Sequence, residues 1–158
     1  GVVLFTIDPA FRGSYQRLFS DRAIEREYLA VARIADVPDR KHWHVENRIG
    51  PGIPWFRQRI VEGSPNAITE IELLDLRADL GIFRLTPKTG KTHQLRLHMA
   101  TIGFPILGDL AYPEIREHQD SDPPLQLLAR RLSFTDPLGS QARSFVSVRE
   151  LQSAREGI

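Results

Sequence analysis

The part of the sequence with the most possible chemistry runs from residue 85 to residue 99. A strand there would end in a turn at Gly90 and continue into a helix, whose first N–H groups are free to bind an anion. Lys88 and Lys91 flank that turn. The letters Gly-Lys-Thr also end the Walker A loop, but that loop needs a glycine where Leu85 stands. An anionic group is therefore favoured here over a nucleoside triphosphate.

The histidines do not form a metal-binding pattern. His93 and His98 lie five positions apart on the predicted helix and point in different directions. His42 and His44 would share one face of a strand, but no third ligand stands at a suitable spacing. The absence of cysteine excludes disulfides, thiolate nucleophiles and thiolate-bound metals. We therefore predict no metal site.

No convincing nucleophile stands in the chain. The signatures G-x-S-x-G, G-x-G-x-x-G and H-E-x-x-H are all missing. The aspartates at turns or caps, where aspartate is locally useful, are Asp8, Asp75, Asp79 and Asp109. Taken alone, Tyr28 on a strand and Arg96 on a helix would be a core residue and a solvated charge.

Charge is distributed unevenly although the formal net charge is only +1. No Asp or Glu occurs from Leu80 to Gly108 or from Asn47 to Val61. The second segment carries Arg57 beside Trp55 and Phe56. If both segments share a face, with acids such as Glu25 and Glu27 elsewhere, the surface would suit a polyanion with exposed bases. The alternative is scattered solvated charge.

The first third of the chain predicts strands around one helix. The apolar run from Gly1 to Ile7 predicts a buried central strand. Asp8 and a following proline start a helix with apolar residues at helical spacing. Residues 28–34 alternate as a strand, with Tyr28 on one side. Pro38 to Pro54 predicts an irregular surface excursion.

The rest predicts more strands. Ile68 to Leu76 and Leu80 to Leu85 form a hairpin. Thr92 caps a helix that ends at Gly103. The remaining predicted pieces are strands at Leu125 to Phe134 and Phe145 to Val148, and a helical or frayed tail after Leu151.

We conclude that residues 1–158 form one domain of the α+β class, with a mixed, mostly antiparallel sheet and flanking helices. No apolar run approaches the roughly 20 residues that span a bilayer. We therefore expect no membrane partner and a cytoplasmic location.

Several blocks now resemble a known family, the RluA-like pseudouridine synthases. These blocks are Gly1-Val-Val-Leu-Phe-Thr, Glu25-Arg26-Glu27-Tyr28-Leu29-Ala30, Pro87 to Met99, and Gly103 to Asp109 with Tyr112. The resemblance implies a mostly antiparallel sheet with a central cleft. It also implies isomerisation of uridine to pseudouridine in ribosomal or transfer RNA, with no cofactor and no metal. A monomer is expected for the full-length protein.

The resemblance also assigns residues. Tyr28 matches the active-site tyrosine that lies against the target base, and Arg96 matches the basic residue that pairs with the catalytic carboxylate. For the RNA contacts, we expect Arg57, Lys88, Gly90, Lys91, His93 and Gln94.

Two departures qualify the resemblance. Gly1 aligns with the last glycine of the family's R-L-D-x-x-T-S-G motif, so we expect an N-terminally truncated catalytic domain without the nucleophilic aspartate, inactive alone. The family's Leu-His-Ala stands here as Leu127-Leu128-Ala129, so no role for that histidine is implied.

Two alternatives stay open at this point: a non-catalytic RNA-binding module, and a phosphate-binding enzyme that uses the glycine turn. The main hypothesis requires Tyr28 and Arg96 to converge on one cleft.

Overall fold

Antiparallel strands dominate residues 1–152, the part of the chain that the computed structural model describes. The elements in chain order are α1 (Pro9–Ser20), β1 (Ile24–Arg33), β2 (His42–Pro51), β3 (Gln58–Val61), β4 (Ala67–Arg77), β5 (Leu80–Pro87), α2 (Gln94–Thr101), β6 (Leu127–Thr135) and β7 (Ala142–Val146). The strands form one seven-stranded sheet in the order β3-β2-β4-β5-β1-β6-β7. Each pairing of neighbours is antiparallel, which confirms the α+β class.

Strand β1 lies inside the sheet because it pairs with β5 on one side and β6 on the other. Ala30, Val31 and Ala32 are fully buried there. Ala30 and Ala32 face the main core, and Val31 faces a second cluster with Leu128. The alternation predicted for this strand is confirmed, since successive strand residues point to opposite faces.

Helix α2 covers the face of the sheet that carries the main core. Its Leu95 and Met99 join the same cluster as Ala30 and Phe83. The helix is short, and most of its stability must come from this packing, because isolated helices below about 12–15 residues are marginal in water. The packing places Leu95 and Met99 of α2, which follows β5 in the chain, in the same core cluster that Tyr28 of β1 packs against.

The prediction of a buried central strand at residues 1–7 is wrong. The segment has no regular secondary structure, although the Val2 N–H donates to the Ala129 carbonyl over 2.9 Å. Val2 and Leu4 pack on a small cluster around Leu18, while the side chains on the other side of the segment are exposed. The strand inside the sheet is β1, which pairs with β5 on one side and β6 on the other and leaves no edge there for residues 1–7.

The prediction of an irregular excursion from Pro38 to Pro54 is also wrong. Most of that stretch is strand β2, which buries Trp43, Val45 and Ile49. These residues alternate with polar ones, a strand pattern that the nearby glycines and prolines obscured.

Several boundaries are as predicted, and one cap is not. Asp8 caps α1 by accepting from the Ala10 N–H over 2.8 Å. The hairpin of β4 and β5 is confirmed. The N-cap position of α2, however, is His93 and not Thr92; His93 has φ +55° and makes no side-chain capping hydrogen bond. The tail predicted after Leu151 lies outside the described residues from 153 on.

None of the helices within residues 1–152 has the length and apolar character needed to cross a bilayer.

Candidate active site

A cavity of about 250 Å³ opens between the end of β5, the strand β1 and the start of α2. We call it the central cavity. Tyr28 and Arg96 both line it, so the predicted convergence of these two distant residues is observed. The complete lining is Arg26, Tyr28, Pro87, Thr89, Gly90, Lys91, His93, Gln94, Leu95, Arg96 and Leu127.

Tyr28 enters the cavity from β1 at an irregularity in the sheet. The register between β1 and β6 shifts between Glu27 and Tyr28. Bulges of this kind re-aim a side chain and often lie beside active sites. The ring packs partly against the main core, leaving part of its surface to the cavity. Its aromatic face is suited to replace the stacking that a flipped base loses.

Arg96 is held from α2 by Asp109. Its Nε donates to one carboxylate oxygen over 2.8 Å and its Nη2 donates to the other over 2.6 Å. The Asp109 side chain is 1% exposed and that of Arg96 is 19% exposed. This bidentate geometry fixes the plane of the guanidinium. The Nη1 group has no hydrogen bond to the described residues, so it remains available to a second acceptor.

Asp109 was predicted to be only a turn residue, and that interpretation was incomplete. Burial by itself would raise the pKa of Asp109. Arg96 and the backbone N–H groups of Ala111 and Tyr112 lower that pKa overall. Pairing with Asp109 in turn raises the pKa of Arg96. The pair is therefore charged at neutral pH and joins the segment after α2 to the helix.

Tyr112 lies against the other side of this arrangement and is 2% exposed. The Arg96 guanidinium carbon is 5.2 Å from its ring centroid, and that of Arg57 is 4.9 Å away. The Tyr112 hydroxyl accepts from the Gln58 N–H over 2.7 Å and lies 3.2 Å from Nδ1 of His93. Tyr112 thus connects the start of β3 with His93 and Arg96, which both line the central cavity.

His93 and Arg57 occupy constrained positions. Burial and the nearby Arg96 lower the pKa of His93, against the opposing effect of Asp109, so its ring is neutral at pH 7. His93 has a positive φ of 55°, which is uncommon in a residue other than glycine and occurs preferentially at functional sites. Arg57 donates to the Pro113 carbonyl over 2.6 Å, so it is anchored as well as basic.

Gln94 was predicted to contact RNA, but its side chain has a different position. It is 3% exposed, and its amide makes four hydrogen bonds. The Nε2 group donates to the Ile68 carbonyl and the Thr69 hydroxyl, and the Oε1 atom accepts from the Thr89 hydroxyl and the Lys91 N–H. Gln94 therefore holds the glycine turn in place from within.

His98 completes the support below the cavity. Its Nε2 lies 3.2 Å from Oδ1 of Asn47, and its Nδ1 lies 2.9 Å from the Thr69 hydroxyl. Because Asn47 Oδ1 can only accept, Nε2 carries the proton and Nδ1 accepts from Thr69. Burial lowers the pKa of His98 to about 4, so the ring is neutral at physiological pH.

The two acid-free segments meet at two places. Asn47 of one lies 3.2 Å from His98 of the other. Arg57 and Arg96, one from each segment, both lie against the ring of Tyr112. Lys88, Gly90 and Lys91 are exposed at the turn. The expectation that acids lie elsewhere is wrong for Glu25 and Glu27, because both line a neighbouring cavity together with Lys88. Within the described residues, no group of three or more His, Asp or Glu side chains could hold a metal ion.

Sequence reasoning missed that Asp109 and Tyr112 contact Arg96 and that Arg26 lines the central cavity. Asp109 and Tyr112 belong to one of the blocks that resemble the family. The carboxylate three residues before a tyrosine was the pattern that could have identified them. Arg26 stands between two glutamates and gave no separate signal.

Comparison with known sequences supports the resemblance. The family model described as "RNA pseudouridylate synthase" matches residues 1–101. The chain is 33% identical over 157 residues to a protein of Haemophilus influenzae named dual-specificity RNA pseudouridine synthase RluA, covering 92% of this chain and 66% of the relative. The protein of the same name from Escherichia coli K12 is 33% identical over 151 residues, with the same coverage. The chain therefore spans about two thirds of the length of these curated relatives.

Solved structures show the same fold. The human RNA pseudouridylate synthase domain containing 1 matches with a TM-score of 0.73 and 28% identity, over 90% of this chain and 62% of that one. The human domain containing 4 matches with a TM-score of 0.67 and 23% identity, over 91% of this chain and 64% of that one, which speaks for the fold alone.

Proposed function

The chain belongs to the RNA pseudouridylate synthase family, and from that premise we propose that it forms most of the catalytic domain of an RNA pseudouridine synthase. The reaction breaks the bond between N1 of uracil and C1′ of ribose and forms a bond between C5 and C1′. The proton on C5 is lost and N1 gains one, so no redox partner is needed. The observation that carries this proposal is that Tyr28 and Arg96, the two matched site residues, line one cavity.

Tyr28 is proposed to hold the uracil. Target bases must leave the stack to be modified, and an aromatic face restores part of the stacking they lose. Tyr28 lies beside Pro87, Leu95 and Leu127, which exclude water from one side of the base. Its hydroxyl is the candidate group for assisting removal of the C5 proton.

Arg96 is proposed to hold the catalytic carboxylate through Nη1. The resemblance implies pairing with the nucleophile, whereas the partner in the structure is Asp109. The two roles are compatible, because Asp109 engages only Nε and Nη2. A buried carboxylate beside a guanidinium stays ionised, which a nucleophilic aspartate requires.

The nucleophile itself is proposed to come from outside the residues given. No carboxylate is among the residues that line the central cavity in the described part of the chain. Asp109 is committed to Arg96, and Asp8 caps α1. Because Gly1 resembles the last glycine of the family's R-L-D-x-x-T-S-G motif, the aspartate is proposed to stand directly upstream of Gly1 in the full protein.

The test is tritium release from RNA labelled at C5 of uridine. We expect no release with the present chain and release with a chain extended upstream through the aspartate. An aspartate-to-asparagine variant of the extended chain is the control. Turnover by the present chain would show that the nucleophile is misassigned.

The alternative of a non-catalytic RNA-binding module is favoured by the same carboxylate-free lining. The two hypotheses differ in one outcome, because a module would bind RNA but give no tritium release even in the extended form.

The RNA is proposed to be ribosomal or transfer RNA, in the cytoplasm, with the full-length protein acting as a monomer. Mass-spectrometric mapping of pseudouridine in RNA from a strain lacking the gene would identify the modified uridine.

A further inference from the structure

A second cavity, of about 510 Å³, adjoins the central cavity and is lined by residues of β1, β5 and β6, with Ile68 of β4. We call it the outer cavity. It shares Arg26 and Pro87 with the central cavity, so the two are neighbours along one surface. Its charged lining consists of four basic residues, Arg22, Arg26, Lys88 and Arg131, and two acidic residues, Glu25 and Glu27.

The four basic residues of the outer cavity outnumber its two glutamates. None of the four lies within ion-pair distance of a carboxylate among the described residues. Elsewhere on the sheet the pattern differs, since Arg33 pairs with Asp79 and Arg84 pairs with Glu72. Unpaired cations gathered in one concave surface raise the local concentration of anions.

Arg26 stands at the boundary between the two cavities and is partly buried. Its Nη2 donates to the Thr89 carbonyl over 3.0 Å, and its guanidinium carbon lies 5.8 Å from the Phe19 ring centroid. Its Nε is buried and has no acceptor among the described residues. The guanidinium is thus held in place while most of its donors remain unused.

A third cavity, of about 430 Å³, continues the basic surface on the opposite side. Arg57, Arg59 and Tyr112 line it, at the β3 edge of the sheet. Strand β3 lies at one end of the strand order, whereas β1 and β6 lie toward the other end. Arg57 and Arg96 lie against the same Tyr112 ring, so this basic surface also borders the central cavity.

We propose that the outer cavity binds the phosphodiester backbone of the RNA strand on one side of the target uridine. The inference rests on the proposed function and extends it from the base to its neighbours. Arg26 contacts the phosphate next to the flipped nucleotide, and Arg22, Lys88 and Arg131 contact the phosphates beyond it. The strand leaves the central cavity on its other side past Arg57 and Arg59.

The test measures the affinity of the present chain for a short labelled single-stranded RNA with one central uridine, across a series of salt concentrations. The variant is Arg22→Gln/Arg131→Gln, two exposed positions outside the core. Removing one phosphate contact should lower the salt slope by about 0.7, so the double variant should lower it by about 1.4. The affinity ratio of parent to variant should then shrink about sevenfold between about 50 and about 200 mM salt.

Three comparisons make the result specific. The control Arg33→Gln/Lys41→Gln removes the same charge away from the outer cavity and should leave the slope unchanged. Arg33 pairs in register with Leu80, and the Lys41 carbonyl accepts from the Leu73 N–H. Glu25→Gln/Glu27→Gln removes two negative charges from the outer cavity itself and should strengthen binding several-fold. The RNA is also extended on its 5′ side or on its 3′ side. The loss of affinity in Arg22→Gln/Arg131→Gln should grow with only one of these two extensions.

The outcomes separate the two proposals. If RNA binds but the slope of Arg22→Gln/Arg131→Gln equals that of the parent, the outer cavity is only a solvated surface and this inference is overturned alone. If the chain binds no RNA, the proposed function falls as well. If inorganic phosphate binds with the same dependence on Arg22 and Arg131 while RNA binding does not depend on them, the cavity is a small-anion site and the RNA path is wrong.

Discussion

The central cavity is bordered by arginines of two kinds. On the α2 side, Arg96 is fixed by the buried carboxylate of Asp109 and by the ring of Tyr112. On the β1 side, Arg22, Arg26 and Arg131 have no carboxylate partner among the described residues. A fixed arginine can orient a reacting group, because its position does not depend on the ligand. An unpaired one is suited to bind a mobile polyanion, and its contribution must depend on salt.

The first prediction concerns the fixed pair and has the largest expected effect. Asp109→Ala should lower the free energy of unfolding by about 3–5 kcal/mol, because it leaves Arg96 partly buried without its partner. Asp109→Asn should cost less, since its amide oxygen still accepts from the Ala111 and Tyr112 N–H groups. Denaturant unfolding measures both. Arg131→Gln should change stability by no more than about 0.5 kcal/mol, and a similar decrease in both regions would contradict the comparison.

The second prediction separates catalysis from binding in a chain extended through the aspartate. Arg96→Ala should reduce the turnover number by about 10²–10³, the usual effect of removing one group that stabilises charge in the transition state. RNA affinity should change only a few-fold, because the role proposed for Arg96 is on the reacting groups and not in uniform binding. Arg96→Lys, which keeps the charge without the bidentate geometry, is the matched variant. Equal decreases in turnover and affinity would assign Arg96 to the binding surface instead.

The third prediction tests the support beneath α2 through pH. The pKa of His98 is about 4 in the folded protein, against a usual 6.5. Between these values the unfolded chain binds a proton that the folded chain does not, so stability falls as pH decreases from about 6.5 to about 4. The decrease should amount to roughly 3 kcal/mol, at 1.36 kcal/mol per pH unit. His98→Gln should remove this part of the pH dependence of unfolding, and an unchanged pH profile would place the titrating group elsewhere.

The fourth prediction concerns the exposed turn and the anchored arginine beside it. Neutralising Lys88, Lys91 and Arg57 together should weaken RNA binding and lower the salt slope by about 2, if each residue contacts one phosphate of a single strand. Since Arg57 donates to the Pro113 carbonyl and packs on Tyr112, the double lysine variant should account for most of the change. An unchanged slope in the triple variant would mean that these residues are only solvated.

The smallest effect is expected at Gly90. A Cβ atom there would lie 3.1 Å from Nη1 of Arg26, the far end of a flexible side chain. Gly90→Ala should therefore change the free energy of unfolding by less than about 1 kcal/mol. It should lower RNA affinity by a few-fold by displacing Arg26. Combined with Arg26→Gln, Gly90→Ala should have no further effect on affinity, and additive effects would show that Gly90 acts independently of Arg26.

Much of the fold and the pair of site residues followed from the sequence. The alternation of residues 28–34, the hairpin around Ala78 and the cap at Asp8 depend on local preferences, which the chain carries in short segments. Tyr28 and Arg96 were assigned through the resemblance of their motifs to a known family, and not from local patterns alone. Strand β2 was missed because its alternation of Trp43 and Val45 with polar residues lies among glycines and prolines.

Only the tertiary structure decided which polar groups are partners. Asp109 looked like a turn residue, Gln94 like an RNA contact, and residues 1–7 like a central strand. In the structure, Asp109 is buried beside Arg96 and Gln94 is buried under the glycine turn. Residues 1–7 lie outside the centre of the sheet, because β1 is the strand that pairs on both sides there. Hydrogen bonds and ion pairs between residues distant in the chain depend on how the elements pack. A local sequence pattern does not determine which distant residues come into contact.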